Sequence, residues 1–294
     1  MKQVTPETAS LAFIGTGVMG KSMVRHLLKA GYTVYIYNRT KEKVEELLQE
    51  GAVWKESPAE AAKTADVVMT MVGYPHDVEE IYLGEEGMLR HAKEGTIFID
   101  FTTSTPKLAK RIYEETKARG MYSLDAPVSG GDVGAREARL AIMVGGDNDV
   151  FEACLPLFEV MGKNIILQGP AGSGQHTKMC NQIAIASNMM GVCEAIAYAK
   201  EAGLDPERVL RSIETGAAGS WSLSNLAPRM IQGNFEPGFY IKHFIKDMNI
   251  ALEEAEAMEL ETPGLALAKK LYQELAEAGE ENSGTQALYK KYIK

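Results

Sequence analysis

A glycine-rich turn constrains this chain more than any other feature. Residues 11–20 read LAFIGTGVMG: an apolar run, then Gly15, Gly17 and Gly20 at GxGxxG spacing, then the start of a helical pattern. The first glycine permits a tight turn, the second lets the backbone approach a pyrophosphate, and the third lets the helix pack on the strand. The helix N-terminus adds amide donors and the positive end of its dipole. Alone, the spacing is a weak signal and also fits a ligand-free turn. The strand before it, the helix after it and a second strand candidate at the right distance point to a dinucleotide site over Gly15, Thr16, Gly17, Val18, Met19 and Gly20.

The rest of the first half alternates in the same way. Strands are expected at Leu11–Ile14, Thr33–Tyr37, Ala65–Val72, Gly95–Asp100, Met121–Asp125, Leu140–Val144 and Ile165–Leu167. Helices are expected at Met19–Ala30, Lys41–Glu50, Pro58–Thr64, Thr105–Arg119 and Val150–Met161. Strands separated by helices read as βαβ units on a parallel sheet. Beyond Leu167 no strand pattern remains. Gly172–Glu201 has the apolar period of one long helix, and a helix of about 30 residues spans roughly 45 Å, enough to run from one domain into the next. Further helices are expected at Asp205–Thr215, Leu223–Gln232, Ile241–Met258, Pro263–Ala278 and Thr285–Tyr292. The expected architecture is an α/β Rossmann-type N-terminal domain, residues 1–168, and an all-helical C-terminal domain, residues 169–294, joined by the long interdomain helix.

Composition narrows the partners. With 31 Lys and Arg against 40 Asp and Glu, the formal charge is −9, which argues against nucleic acid, whose phosphates need a basic surface. No apolar run reaches the roughly 18 residues of a membrane span, and the N-terminus lacks a signal-peptide core. The three cysteines form no CxxC pair, and the five histidines show no metal-ligand spacing. Free thiols, no metal and a cytoplasmic location are expected.

Three further stretches carry chemistry. An NAD site places an acid roughly 20 residues after the glycines, to take the ribose hydroxyls. Here Asn38, Arg39 and Thr40 stand at the end of the second strand, with no acid until Glu42. Arg39 can grip a 2′-phosphate with its planar fork, and Thr40 can add a hydroxyl, so NADP is expected, with NAD as the alternative. Asp125–Gly131 (DAPVSGG) follows a strand; its amides and serine hydroxyl fit a carboxylate cradle or a structural turn. Gly172–Gln182 (GSGQHTKMCNQ) opens the long helix and puts Lys178 and Asn181 three apart, on one face. A desolvated lysine can serve as acid or base near neutral pH, whereas a solvated one is merely surface. His176 lies on a different face and reads as structural.

Together, and in this order, these stretches resemble the β-hydroxyacid dehydrogenase family, which includes 3-hydroxyisobutyrate dehydrogenase, semialdehyde and glyoxylate reductases and, more distantly, 6-phosphogluconate dehydrogenase. GxGxMG is met by Gly15, Gly17, Met19 and Gly20. DxPVSGG is met by Asp125–Gly131, GxGxxxKxxN by Gly172, Gly174, Lys178 and Asn181, and K-D-[LM] by Lys246, Asp247 and Met248. The resemblance implies hydride transfer between NADP and a small 3-hydroxy acid or its semialdehyde; other member activities, on serine, succinic semialdehyde or glyoxylate, are the alternative, and a non-catalytic dinucleotide-binding protein is a third. It implies Lys178 as acid/base and Asn181 as a substrate residue. Ser129, Gly130 and Gly131 then bind a carboxylate. Val72, Gly73, Asp77, Thr103 and Lys246 join the cofactor set; the family's proline at the end of the third expected strand is replaced by Gly73. The decarboxylating relative carries a glutamate seven residues past its lysine. Ile185 stands there and cannot give a proton, so oxidation without loss of carbon dioxide is expected. The apolar long helix suits a subunit interface, and a homodimer or homotetramer is expected.

Overall fold

The computed structural model describes residues 1–293. By its contacts the chain divides into two units, Met1–Lys178 and Met179–Lys294. Among the described residues, nine strands lie in one sheet: β1 (Leu11–Ile14), β2 (Val34–Tyr37), β3 (Val53–Trp54), β4 (Val67–Thr70), β5 (Ile97–Asp100), β6 (Tyr122–Asp125), β7 (Val128–Ser129), β8 (Leu140–Gly145) and β9 (Gly162–Gly169). Their order is β3-β2-β1-β4-β5-β6-β8-β7, with β9 paired to β8. The strands from β3 to β6 run parallel, β8 runs antiparallel to β6 and β7, and β9 is parallel to β8. Strand order reverses its direction of progress across the sheet between β1 and β4, and ligands of doubly wound sheets bind at that switch, outside the carboxyl ends of the strands.

The helices of the first unit are α1 (Val18–Lys29), α2 (Glu45–Gln49), α3 (Pro58–Thr64), α4 (Pro75–Leu83), α5 (Pro106–Lys117), α6 (Gly131–Arg136) and α7 (Asn148–Glu159). They cover both faces of the sheet, which explains why β1, β4 and β5 are buried throughout. Period-two alternation divides each strand between two cores: Leu11 and Phe13 enter one, Ala12 and Ile14 the other. Helix starts follow side-chain chemistry. The Ser57 and Thr105 hydroxyls accept from the amides of Glu60 and Leu108, with proline at the first helical position of both α3 and α5.

Helix α8 (Ser173–Glu201) is continuous for 29 residues. The two contact units part at Lys178/Met179, not at the 168/169 expected from the sequence, because the first turns of α8 are hydrogen-bonded to the end of β6.

The second unit adds α9 (Pro206–Ile213), α10 (Trp221–Asn225), α11 (Ala227–Ile231), α12 (Ile241–Ala257) and α13 (Pro263–Leu275) around a separate core. Phe244 packs edge-on to the fully buried Tyr272, whose hydroxyl donates to the Thr285 carbonyl at 2.8 Å. Among the described residues no strand lies in this unit and no helix is long and apolar enough to cross a membrane.

Several expectations differ in detail. The single helix expected over Leu223–Gln232 is two short ones meeting at Leu226, because Pro228 cannot donate into a continuous ladder. Lys41–Glu50 begins as a 3₁₀ turn, Lys41–Val44, before α2. Strand β9 extends well beyond Ile165–Leu167, while β3, β7, α4 and α6 carry no expectation from sequence at all.

Candidate active site

The glycine turn sits at the end of β1. Gly15 has φ +93°, and a Cβ there would collide with the Met71 carbonyl oxygen; a Cβ on Gly20 would collide with the Gly15 carbonyl oxygen. Those two glycines are therefore required by the protein's own packing. Gly17 is different: a Cβ on it would meet nothing within 4 Å. No side chain caps α1, and its first turn holds no acid. The buried Thr16 hydroxyl has no hydrogen-bond partner among the described residues, and neither does that of Ser104. An open glycine, an uncapped helix start and two unused hydroxyls fit a dinucleotide pyrophosphate at this turn and the remainder of the cofactor along the strand ends.

The neighbouring turns are tied to it. The Thr16 amide points to Asn38 Oδ1 at 3.4 Å, and Asn38 Nδ2 donates to the Thr40 carbonyl at 2.9 Å. The Arg39 side chain is 81% exposed. The expectation that no acid stands beside it is corrected: Asp77 Oδ1 lies 3.5 Å from Arg39 Nη1. Asp77 is held there because its other oxygen accepts from the Tyr74 amide at 3.1 Å, capping α4. The Val72 amide donates to the Thr102 hydroxyl at 3.0 Å, which fixes the turn after β4, Gly73 included, to the loop after β5. Thr103 is half-buried in that loop.

The loop after β5 is in turn locked to α8. Gln175, fully buried, donates through Nε2 to the Thr102 carbonyl at 2.8 Å and accepts at Oε1 from the Ser104 amide at 3.0 Å. Asp125, at the end of β6, accepts from the amides of Gly172 at 2.7 Å and Gln175 at 2.9 Å. Burial pushes the Asp125 carboxyl above its ordinary range, against the pull of those amides. Two residues past the Asp125–Pro127 corner, Ser129, Gly130 and Gly131 stand half-buried; Gly130 and Gly131 have φ +131° and +60°, which other residues resist. Lys178 is buried, and its Nζ donates to the Val128 carbonyl at 2.8 Å. The lysine is thus set against the chain immediately before that serine–glycine segment.

In the second unit the two expected residues, Asn181 and Lys246, are linked through two others. Asn181 Nδ2 donates to Gln182 Oε1 at 2.7 Å, Gln182 Nε2 donates to Asp247 Oδ2 at 2.5 Å, and Asp247 Oδ1 lies 2.8 Å from Lys246 Nζ.

Sequence reasoning missed Gln175, Gln182 and Asp100 as parts of this framework. Their signal is faint: two amides flanking the catalytic-motif lysine in an apolar helix, and an acid closing an otherwise apolar strand.

Comparison with known proteins shows the family. The family described as the NAD binding domain of 6-phosphogluconate dehydrogenase matches residues 10–169. The one described as NAD-binding of NADP-dependent 3-hydroxyisobutyrate dehydrogenase matches residues 172–292. The chain belongs to the β-hydroxyacid dehydrogenase family. Its relatives include an uncharacterized oxidoreductase of Bacillus subtilis, 65% identical over 97% of this chain and 99% of that protein. A probable 3-hydroxyisobutyrate dehydrogenase-like protein of Arabidopsis thaliana is 46% identical over 97% of this chain and 85% of its own length. Among solved structures, Mycobacterium tuberculosis 3-hydroxyisobutyrate dehydrogenase with L-serine has a TM-score of 0.88 at 30% identity, covering 97% of this chain and 99% of that one. Membership makes this protein an NAD(P)-dependent dehydrogenase of hydroxy acids, with a Rossmann-type N-terminal and a helical C-terminal portion.

Asp100 gives a pH test of the site's floor. It accepts from the Thr70 hydroxyl at 2.7 Å and the Thr102 amide at 3.0 Å, and burial raises it from 3.8 to about 6. Between those values the folded protein binds more protons at this site than the unfolded chain, so stability falls as pH rises from about 4 to about 6. A rise of that size corresponds to about 3 kcal/mol. Asp100→Asn keeps the acceptor oxygen and removes the titration. Urea unfolding should show the variant gaining on the parent across that range and exceeding it by up to about 3 kcal/mol at pH 7.5. A variant less stable at pH 7.5 would contradict this account.

Proposed function

We propose that this protein interconverts a small 3-hydroxy acid and its semialdehyde with NADP as the preferred dinucleotide, and without decarboxylation. The observation that carries the reading is Lys178: a buried lysine whose Nζ is hydrogen-bonded at 2.8 Å to Val128, directly before Ser129, Gly130 and Gly131. The serine hydroxyl and the amides of the two glycines hold the substrate carboxylate. That places an acid/base group one short reach from the bound acid.

The dinucleotide, when bound, supplies the hydride acceptor in oxidation and the hydride donor in reduction. Gly15 through Gly20 would hold its pyrophosphate, and Val72, Gly73 and Thr103 would join them in the cofactor set. Lys178 Nζ takes the hydroxyl proton as the substrate is oxidised and returns it to the oxygen in reduction. Asn181 contacts the substrate, and Lys246 serves substrate and cofactor. Ile185 offers no proton for an enediol, which supports retention of the carboxylate.

The preference for NADP rests on the Arg39 fork and the Thr40 hydroxyl. Asp77 competes for Arg39, and a bound 2′-phosphate, carrying more charge, would displace it. The L-serine in the Mycobacterium tuberculosis relative is itself a 3-hydroxy acid and supports the same substrate frame. Three cysteines, none in a disulfide, support a reducing compartment such as the cytoplasm. A homodimer or homotetramer remains the proposed assembly.

Two experiments test the reading. Lys178→Ala should cut turnover of a 3-hydroxy acid by about 100- to 10,000-fold, with the NADPH dissociation constant nearly unchanged and no carbon dioxide released in step with NADPH by the parent enzyme. Turnover within a few-fold of the parent would remove Lys178 from the chemistry. The unmodified protein should favour NADPH over NADH in kcat/KM, and Arg39→Asp should invert that order. Equal efficiency with both would contradict the cofactor assignment.

A further inference from the structure

The segment assigned to the substrate carboxylate is loosely built in itself. Strand β7 has two residues and α6 has six, far fewer than the roughly 12 that an isolated helix needs to persist in water. The chain enters α6 through Gly130 and Gly131, both at positive φ, and leaves it through Ala138 at φ +51°, a region that a Cβ disfavours. The position of α6 is therefore set by what it packs against, and that is α1, the helix begun by the glycine turn. Ala135 is buried in the same apolar core as Met23, Val24 and Leu27 of α1. His26, in the last turn of α1, reaches across to α6. Its Nε2 lies 2.9 Å from the Ala135 carbonyl oxygen and 3.0 Å from that of Arg136. Carbonyl oxygens only accept, so Nε2 carries a proton and shares it between the two. The end of a helix leaves carbonyls without amide partners inside the helix, and His26 supplies a donor to two of them.

We infer that His26 is a positioning residue for the substrate carboxylate: it ties the last turn of α6 to α1, and so holds Ser129, Gly130 and Gly131 in place relative to the glycine turn. This rests on the proposed function, which gives those three residues the carboxylate and the glycine turn the pyrophosphate. His26 stands outside all four sequence motifs, nine residues past Gly17 and thus about 14 Å along the helix from the turn. It acts through α6. The Asp132–Arg136 ion pair spans α6 from its first turn to its last, so a shift at the tied end carries to Gly131. The tie is made alike before and during the reaction. Its loss therefore weakens ground state and transition state equally, which raises KM and leaves kcat. Dinucleotide affinity is also spared, because the glycine turn is fixed by its own close packing, Gly15 against Met71 and Gly20 against Gly15.

The test uses the whole protein with 3-hydroxyisobutyrate or L-serine, whichever it oxidises faster. Isobutyrate, which has the carboxylate but no hydroxyl to oxidise, serves as competitive inhibitor. His26→Leu keeps bulk and removes the donor. It should raise the substrate KM and the isobutyrate inhibition constant together, by about three- to tenfold. Its kcat should stay within about twofold of the parent's, and its NADPH dissociation constant, read by fluorescence, should not change. His26→Gln sets an amide nitrogen near the position of Nε2 and should bring both constants back to within about twofold. Ser57→Ala is the stability control. It removes the hydroxyl that accepts from the Glu60 amide at 3.1 Å at the start of α3, and should lower the unfolding temperature while leaving both constants alone. Hydrogen exchange on unliganded His26→Leu should show the amides of residues 134–139 losing protection while those of β1 and β4 keep theirs.

A His26→Leu enzyme whose two constants match the parent's, or whose losses are shared by Ser57→Ala, would overturn the inference and leave the proposed function standing. A His26→Gln enzyme no better than His26→Leu would also overturn it, since donation to α6 would then not be what matters. A parent enzyme that oxidises no 3-hydroxy acid would overturn the proposed function and the role toward the carboxylate with it; the exchange pattern of the same proteins would still decide whether His26 holds α6.

Discussion

A single buried carboxylate organises the dinucleotide unit. Asp125 closes a strand at the carboxyl edge of the sheet, where its two oxygens accept the amides of Gly172 and Gln175. A helix start has amides with no partner inside the helix, and here the sheet supplies that partner. The close fit leaves little freedom: a Cβ on Gly174 would run into the Met143 carbonyl oxygen, and one on Gly145 would meet Asp125. Gln175 then extends the junction sideways to the Thr102 carbonyl and the Ser104 amide. One helix start thus carries Lys178 and braces the loop after β5.

Much of this was legible in the sequence. Strand β1 is found at Leu11–Ile14 as read, because a four-residue run buried on both faces has no polar position to blur its ends. The glycine turn, the serine–glycine segment and the lysine helix declare themselves as motifs, since each needs residues that nothing else replaces at that spacing. The long helix α8 is visible through its apolar period, although its two ends belong to different contact units.

What the sequence hid lies in pairings between distant segments. Arg39 and Asp77 are 38 residues apart; they meet because β2 and β4 both flank β1, so the turns that follow them converge. Helix α4 lacks a long apolar run and is announced by Pro75 at its first position and by Asp77, whose carboxylate accepts from the Tyr74 amide. Strand β9 is visible in the sequence only over Ile165–Leu167, because the exposed polar residues Lys163, Asn164 and Gln168 break its apolar pattern at both ends. The link from Asn181 through Gln182 to Asp247 leaves only a faint signature, two adjacent amides in an otherwise apolar helix.

The Gln175 side chain joins the first turns of α8 to the loop after β5 as one rigid piece. Amide hydrogen exchange on Gln175→Leu reads this most directly. Residues 101–105 and 172–178 should lose protection together, by similar factors, while β1 and β4 keep theirs. Loss confined to residues 172–178, with the Ser104 amide as protected as in the parent, would contradict the claim.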